Sequence, residues 1–298
     1  MTAIRVTGAP ALQAVVLGTQ DVTERLAFYV AVMGLVPSCS AEVAVYDLGE
    51  GGDEAVALAS AVMAAQGQLS PEAVRARLGS LAVAAASRLR AGKAAGRGLR
   101  LGSGEVTVTC SHHAHAGFFG LEMLTLSHRR FDGLGGPAIQ REIFVSGDAV
   151  TVLPYDPVRD RVLVVEQFRV GPFRRGDPLP WQLEAIAGRV DPGESPENCA
   201  RREAVEEAGL ILGALIKVAE YYPSPGAMTE YLYSYVALCD LPDGIAGVFG
   251  QVEEAEDILG HLLSFDALAA AVASGEVGNA PLLLTTFWLQ RERHRLRG

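Results

Sequence analysis

Residues 188–210 read GRVDPGESPENCARREAVEEAGL, and the acids in this stretch are spaced for chemistry. Ser195 and Pro196 open a helix, since a serine side chain caps free backbone N–H groups and proline suits the first turn. Gly209 closes it. Between them Glu203, Glu206 and Glu207 stand at i, i+3 and i+4, so their carboxylates share one helical face. Such a face repels itself by a few tenths of a kcal/mol per pair unless cations lie against it. Hard oxygen ligands one turn apart suit Mg²⁺, or Mn²⁺, rather than a soft metal. Arg201 and Arg202 can neutralise part of the charge from within. The plain alternative is a solvated acidic face on a surface helix.

The helix needs a scaffold, and the flanking sequence supplies strands. Glu105–Cys110, Phe118–Phe131 and Gln140–Val145 read as strands. Ala149–Pro154 and Arg161–Phe168 flank the Asp-Pro turn signal in 155–160 and read as a hairpin. Leu215–Tyr222 and Tyr231–Leu238 are further strands, and Ser264–Ser274 and Pro281–Arg295 are helical. Upstream the pattern differs: strand-like Leu12–Leu17, a helix over Val22–Met33, strand-like Val43–Leu48, then Ala-rich helices over Glu54–Gln66 and Pro71–Ala91. Residues 90–104 hold five glycines and four basic side chains and read as a linker. The expected organisation is a smaller α+β domain over 1–103 followed by a larger α+β domain over 104–298.

Charge follows the same division. The 298-residue chain carries 25 basic and 35 acidic side chains, a net charge of −10. Residues 1–103 hold nine and eight of these, so the whole of the acidic excess, with all six histidines, lies in the second part. An acidic chain argues against nonspecific nucleic-acid binding and against anionic membranes. No uninterrupted apolar stretch is long enough for a membrane span, and the N-terminus has no signal pattern. Cys39, Cys110, Cys199 and Cys239 are scattered, with no CxxC pair, and read as buried free thiols of a cytoplasmic protein. His112, His113 and His115 lie on an alternating strand without further ligands at metal spacing and read as a polar strand edge.

The acidic helix now gains a wider context. Gly188, five residues, Glu194, seven residues, Arg202-Glu203, two residues, Glu206-Glu207, one residue and Gly209-Leu210 resemble the full signature of the Nudix hydrolases. Only Ala204 is smaller than the bulky apolar residue often found there. RRFDG (129–133), QREIF (140–144), the hairpin 149–169, PWQLEAIAG (180–188), SPG (224–226) and EEAEDI (253–258) follow in the order seen in the ADP-ribose pyrophosphatase branch, and Pro225 lies where that branch often has a proline. The resemblance implies an α/β/α sandwich with a mixed sheet. It also implies Mg²⁺-dependent hydrolysis of ADP-ribose to AMP and ribose 5-phosphate. Hydrolysis of another nucleoside diphosphate sugar, such as GDP-mannose, and a non-catalytic nucleotide sensor are the alternatives.

The same resemblance implies site roles. Glu203, Glu207, Glu256 and the Ala187 carbonyl would be metal ligands, with Glu254 as catalytic base and Glu194 and Glu206 orienting Arg202 or binding a water of the metal. Arg169, Arg141, Glu142 and Glu230 would contact substrate, and Phe118 and Phe119 would lie near a purine. It further implies a homodimer with exchanged N-terminal strands. Residues 25–35 (RLAFYVAVMGL) resemble part of a γ-glutamylcyclotransferase-like region fused to Nudix domains in proteins named for tellurite resistance. The substrate loop of that region is missing, beyond a remnant at Leu17-Gly18-Thr19. A glyoxalase-like reading lacks any histidine in 1–103. No catalysis is expected from this part, which reads as a degenerate accessory domain.

Overall fold

Contacts divide the chain at Gly147. In this computed structural model, which describes residues 3–40, 43–92, 105–251 and 256–298, one compact unit runs up to Gly147 and includes Ser224–Thr229. The other comprises Asp148–Pro223 and Glu230–Gly298. Strands of the 105–147 region therefore group by compactness with the N-terminal residues. The expected linker falls mostly in 93–104, outside the described residues.

The first unit begins with β1 (Ala3–Thr7), α1 (Pro10–Leu17), α2 (Val22–Met33), β2 (Ser38–Ser40) and β3 (Val43–Asp47). It continues through α3 (Asp53–Ala64), α4 (Pro71–Arg75) and α5 (Leu78–Gly92). Parallel β1–β3 and antiparallel β2–β3 pairs form a small sheet. The run Leu12–Leu17, expected as a strand, is helical. Pro10 occupies the first turn of α1, and Leu12 and Val16, one turn apart, are both buried. They pack with Leu26, Tyr29 and Val32 of α2 and Val62 of α3. The helix expected over Pro71–Ala91 breaks at Ala76-Arg77 into α4 and α5.

An antiparallel sheet follows, of β4 (Val106–Ala116), β5 (Gly120–His128) and β6 (Ile139–Val145) in that order. Strand β5 is shorter than the expected Phe118–Phe131. Ser224–Thr229 closes on β6: the Phe144 N–H donates to the Ala227 carbonyl at 2.8 Å, and Thr229 exchanges bonds with Ser146. His112 and His115 are exposed on the edge strand β4, whereas His113 is largely covered. Cys110 on β4 is exposed rather than buried, because both faces of this part of the strand meet solvent.

The second unit is built on a mixed sheet. Its elements are β7 (Ala149–Asp156), β8 (Arg161–Phe168), α6 (Val170–Arg175), β9 (Trp181–Glu184), β10 (Ile186–Arg189) and α7 (Pro196–Ala208). Then come β11 (Leu215–Tyr221), β12 (Leu232–Leu238), β13 (Val248–Phe249), β14 (Ile258–Ser264), α8 (Phe265–Ser274) and α9 (Ala280–Leu296). The sheet order is β11-β12-β7-β8-β14-β13, with β10 beside β7 and β9 beside β8. The expected hairpin is β7–β8, and β12–β7 is the parallel pair. One face of the sheet (Val150, Val152, Leu163, Val165) is covered by α7 through Cys199, Ala200, Ala204 and Ala208. The other (Leu153, Tyr155, Val162, Val164) is covered by Phe265, Leu268, Leu282 and Leu289 of α8 and α9. The fold is thus the expected α+β class, with helices on both faces of a mixed sheet. Ala200, Ala204 and Ala208 form a small-residue stripe that lets α7 approach the sheet closely, which accounts for the small Ala204. Among the described residues no helix is long and apolar enough to cross a membrane.

Candidate active site

Helix α7 starts and stops as its sequence dictates. The Ser195 hydroxyl accepts the Asn198 N–H at 3.2 Å, Pro196 takes the first turn, and Gly209 ends the helix at φ +61°. Arg202 gathers the box acids. Its guanidinium donates to both oxygens of Glu194 at 3.1 Å, to Glu206 at 3.0 Å and to Glu203 at 2.7 Å. Arg202 also donates to the Arg189 carbonyl at 3.1 Å, which fixes α7 against the end of β10. So Glu194 and Glu206 do hold Arg202, and Glu203 shares it.

Glu207 is treated differently. Its side chain is buried, 3% exposed, and accepts the Ala187 N–H at 3.1 Å. Burial pushes its carboxyl up to about 8, with Glu203 and Glu256 pushing the same way and Arg169 opposing. Glu203 is pushed up to about 7, chiefly by burial, with Glu206 and Glu256 adding and Arg202 opposing. Gly188 is required beside them: a Cβ there would come within 1.7 Å of a Glu203 oxygen. Repulsion from Glu256 and between the two carboxylates adds to the burial of Glu203 and Glu207, with Arg202 opposing at Glu203 and Arg169 at Glu207.

That imbalance is the test of metal fit. Among the described residues no group of three His, Cys, Asp or Glu is drawn together closely enough to hold an ion as it stands. Yet two desolvated carboxylates whose charge costs free energy are hard oxygen donors of the kind suited to Mg²⁺ or Mn²⁺. Glu256 is steadied by its own loop, its backbone N–H donating to the Gln251 carbonyl at 3.2 Å and its carboxylate accepting the Gln251 N–H at 3.3 Å. Glu254 lies outside the described residues.

Arg169, at the end of β8, is held by Glu184 of β9 at 2.6 Å. Glu184 leads the acids that hold its charge up against burial, followed by Glu207 and Glu256. Glu230, just before β12, is raised by burial, with Arg189 and Arg169 opposing. The second unit thus brings together Ala187, Glu203, Glu207, Glu256, Arg169 and Glu230. Arg141, Glu142 and Phe119 belong to the first unit. There Arg141 and Glu142 are exposed on β6, and Arg141 donates to the Gln140 carbonyl at 2.7 Å. Phe119 packs against Phe118 and Phe144 with ring centroids 4.9 and 4.8 Å apart. Two residues went unnoticed in the sequence. Glu184 stands inside PWQLEAIAG with no charge pattern of its own, and Arg189 sits at a position the box leaves open.

The second part of the chain is similar to known proteins. The NUDIX domain family matches residues 145–283. An ADP-ribose pyrophosphatase of Escherichia coli (strain K12) is 36% identical over 196 residues, 66% of this chain and 93% of that protein. An ADP-ribose pyrophosphatase of Haemophilus influenzae is 34% identical over 59% of this chain and 82% of its own. A GDP-mannose pyrophosphatase of Enterobacter sp. (strain 638) is 34% identical over 51% of this chain and 78% of its own. With a filled box on a capped helix and relatives covered over nearly their whole length, this chain belongs to the Nudix family.

Proposed function

We propose that the protein is a divalent-metal-dependent pyrophosphatase that hydrolyses ADP-ribose to AMP and ribose 5-phosphate. The observation that carries this reading is the pair Glu203 and Glu207 on the helix that holds the complete box, Glu207 buried against the Ala187 N–H and Glu203 sharing Arg202 with Glu194 and Glu206. A protein that only bound a nucleotide would gain nothing from such a pair. Mg²⁺, or Mn²⁺, when bound, would polarise the diphosphate oxygens and make a bound water acidic enough to attack phosphorus. The chain's own groups do the rest. Glu203, Glu207, Glu256 and the Ala187 carbonyl hold the cations, Glu254 takes the proton of the attacking water, and Arg169 neutralises phosphate charge. Arg141, Glu142, Glu230 and Phe119 are the further substrate contacts that the resemblance implies.

The names of the E. coli and H. influenzae relatives support ADP-ribose as substrate, and the GDP-mannose pyrophosphatase relative favours a second reading in which the sugar nucleotide is GDP-mannose. Phosphate release through a coupled phosphatase, across a panel of nucleoside diphosphate sugars with Mg²⁺, decides. ADP-ribose turned over fastest is the expected result. Turnover of GDP-mannose alone selects the second reading, and turnover of no member removes the enzyme assignment.

The hydrolase domain is proposed to run over 104–298, a span that fits the 196-residue alignment to the E. coli relative. Residues 1–103 are then a non-catalytic accessory domain, a degenerate γ-glutamylcyclotransferase-like region in a tellurite-resistance-type fusion. We place the protein in the cytoplasm as a homodimer. A chain beginning at Gly104 that is soluble and active supports this boundary, and an insoluble or inactive one overturns it. Sedimentation equilibrium checks the dimer.

A further inference from the structure

In the first unit, helix α5 packs closely on the sheet of β4, β5 and β6. Its Val83 lies so near Gly147, just past β6, that a Cβ on the glycine would come within 2.2 Å of it. Close packing of this kind withdraws polar groups along the seam from water. Charged side chains gather there: Arg77 at the break between α4 and α5, Arg88 on α5, His113 on β4 and Glu122 on β5.

The strands set the acid in place. His113 and Glu122 are cross-strand partners, and Gly120 stands two residues before Glu122, so all three occupy one face of the sheet. The Glu122 side chain is 14% exposed, with His113 Nδ1 at 3.8 Å and Arg88 Nη2 at 3.9 Å from it. Both distances are too long for hydrogen bonds.

Arg77 is the member left over. Its main chain is satisfied on both sides of the helix break, the N–H donating to the Val74 carbonyl at 3.1 Å and the carbonyl accepting the Leu81 N–H at 3.0 Å. Its side chain is not. The residue is 8% exposed, and its buried Nε has no hydrogen-bond partner among the described residues. Its Nη2 lies against Gly120, where a Cβ would come within 3.2 Å. Burial disfavours its charge and Glu122 is the acid that opposes, yet the ion pairs of Glu122 go to Arg88 and His113.

A guanidinium cannot escape such a place by losing its proton, as a histidine can. It needs an anion. With His113 and the exposed His112 neutral, Arg77 and Arg88 bring two positive charges against one negative charge on Glu122, so one further negative charge closes the balance. A carboxylate supplies that charge, with two oxygens matched to the fork of a guanidinium. A phosphate dianion brings one charge too many beside Glu122 unless His113 takes up a proton.

We propose that Arg77, Arg88 and His113 form a binding site for a small carboxylate anion in the first unit, with Arg77 as its buried anchor. Arg88, whose side chain is 65% exposed, forms the solvent side, and the anion enters past it. Neither the acids of α7 nor a diphosphate takes part.

The test is NMR of the isotope-labelled full chain without added metal, with acetate or inorganic phosphate replacing chloride at constant ionic strength. Acetate is expected to move the Arg77 Nε–H signal along a saturating curve, with a Kd of about 10 mM or below. His113 should titrate at higher pH with acetate bound, since a neighbouring anion favours the charged ring. Arg77→Met should abolish the His113 response, and Arg88→Gln should weaken acetate about two- to fivefold, the share of a largely exposed pair. Should Arg77→Met fail to fold, Arg77→Lys takes its place: it keeps the charge without the fork and should bind acetate more weakly than wild type. Saturation by phosphate and not by acetate overturns the carboxylate assignment. Shifts that stay linear with both anions overturn the site. Wild-type acetate affinity in Arg77→Met or Arg77→Lys removes Arg77 as its anchor.

Discussion

Two sets of buried carboxylates in the second unit have been given opposite surroundings. Asp160, in the β7–β8 turn, has a side chain 14% exposed and is ringed by donors. The Tyr155 hydroxyl donates to it at 2.8 Å, Arg293 does so at 2.8 Å through Nε and again through Nη2, and Arg297 reaches it as well. Arg293 above all holds its carboxyl below the usual range, and the Tyr155 hydroxyl beside it is pushed up to about 12 by burial and by Asp160. Glu203 and Glu207 are buried to a similar or greater degree but are pushed the other way, to about 7 and about 8. Burial is the chief cause of the rise at Glu203 and Glu207, whereas at Asp160 the hydrogen bond from Arg293 outweighs a smaller burial. A carboxylate that only holds the fold together is supplied with its counter-charges by the chain. Glu207 has no such ring of arginines and Glu203 shares Arg202 with Glu194 and Glu206; under the proposed function, cations from outside would balance the pair.

Removing charge from this pair should have the largest effect. Glu207→Gln is expected to lower kcat by roughly two to four orders of magnitude, the scale of the several kcal/mol that a metal Lewis acid supplies. Its thermal stability without metal should equal or exceed that of wild type near pH 7, because glutamine is spared the proton uptake that burial imposes on Glu207 when the chain folds. Steady-state kinetics and thermal unfolding of one preparation check both halves. Near-normal kcat would remove Glu207 from the metal site. Next in size, Mg²⁺ should raise the melting temperature of wild type and a chelator should reverse the rise, as mass action requires of any ion that binds only the folded state. Glu203→Gln and Glu207→Gln should lose most of that response. A rise of full size in both variants would place the cations elsewhere.

The balanced acid should behave in the converse way. Asp160→Asn removes the charge but keeps a residue tolerant of the left-handed backbone at this position, where φ is +56°. It should cost about 2 kcal/mol, between the exposed-pair and fully buried-pair cases, while kcat stays within about twofold. Denaturant unfolding and kinetics give the two readings. A catalytic loss larger than the stability loss would mean that the C-terminal helix does more than cover the sheet.

What was legible beforehand follows the same division between local and distant partners. The cap at Ser195, the stop at Gly209, the one-face spacing of Glu203 and Glu207 and the β7–β8 hairpin are encoded within a few residues of themselves. Leu12–Leu17 reads as a strand because adjacent Val15 and Val16 imitate a buried one, although Pro10 at the first turn is the contrary sign and the segment is helical. Strand β14, which contributes His261 to a 2.7 Å contact with Glu166, carries a glycine and a histidine within its apolar run and announced itself poorly. Asp160 meets Arg293 across 133 positions of sequence, and Glu166 meets His261 across 95. No local pattern encodes such pairs. The counter-charges, unlike the charges, had to be seen in the fold.

The smallest expected effect carries the comparison into the first unit with the signs exchanged. His113 of β4 lies beside Glu122 of β5 at 3.8 Å, and its backbone N–H donates to Gln68 at 3.1 Å. Around it stand Arg77, Arg88 and His112, and Arg77 is buried, 8% exposed, with no hydrogen-bond partner for its Nε. Here cations outnumber the one carboxylate. Burial lowers the His113 pKa and Arg77, His112 and Arg88 lower it further, while Glu122 alone opposes. The folded protein therefore binds this proton less readily than the unfolded chain does. Stability from this group is present above the ordinary imidazole value of about 6.5 and is lost as pH falls through it toward the lower folded value. His113→Gln should flatten the fall in melting temperature between pH 7 and pH 5 by the equivalent of about 1 kcal/mol or less. Parallel wild-type and variant curves check it, since all other titrations cancel in their difference. If the two curves keep a constant separation across that range, His113 is not a proton-linked member of the cluster, and cation excess in the first unit lacks the consequence that acid excess has at Glu203 and Glu207.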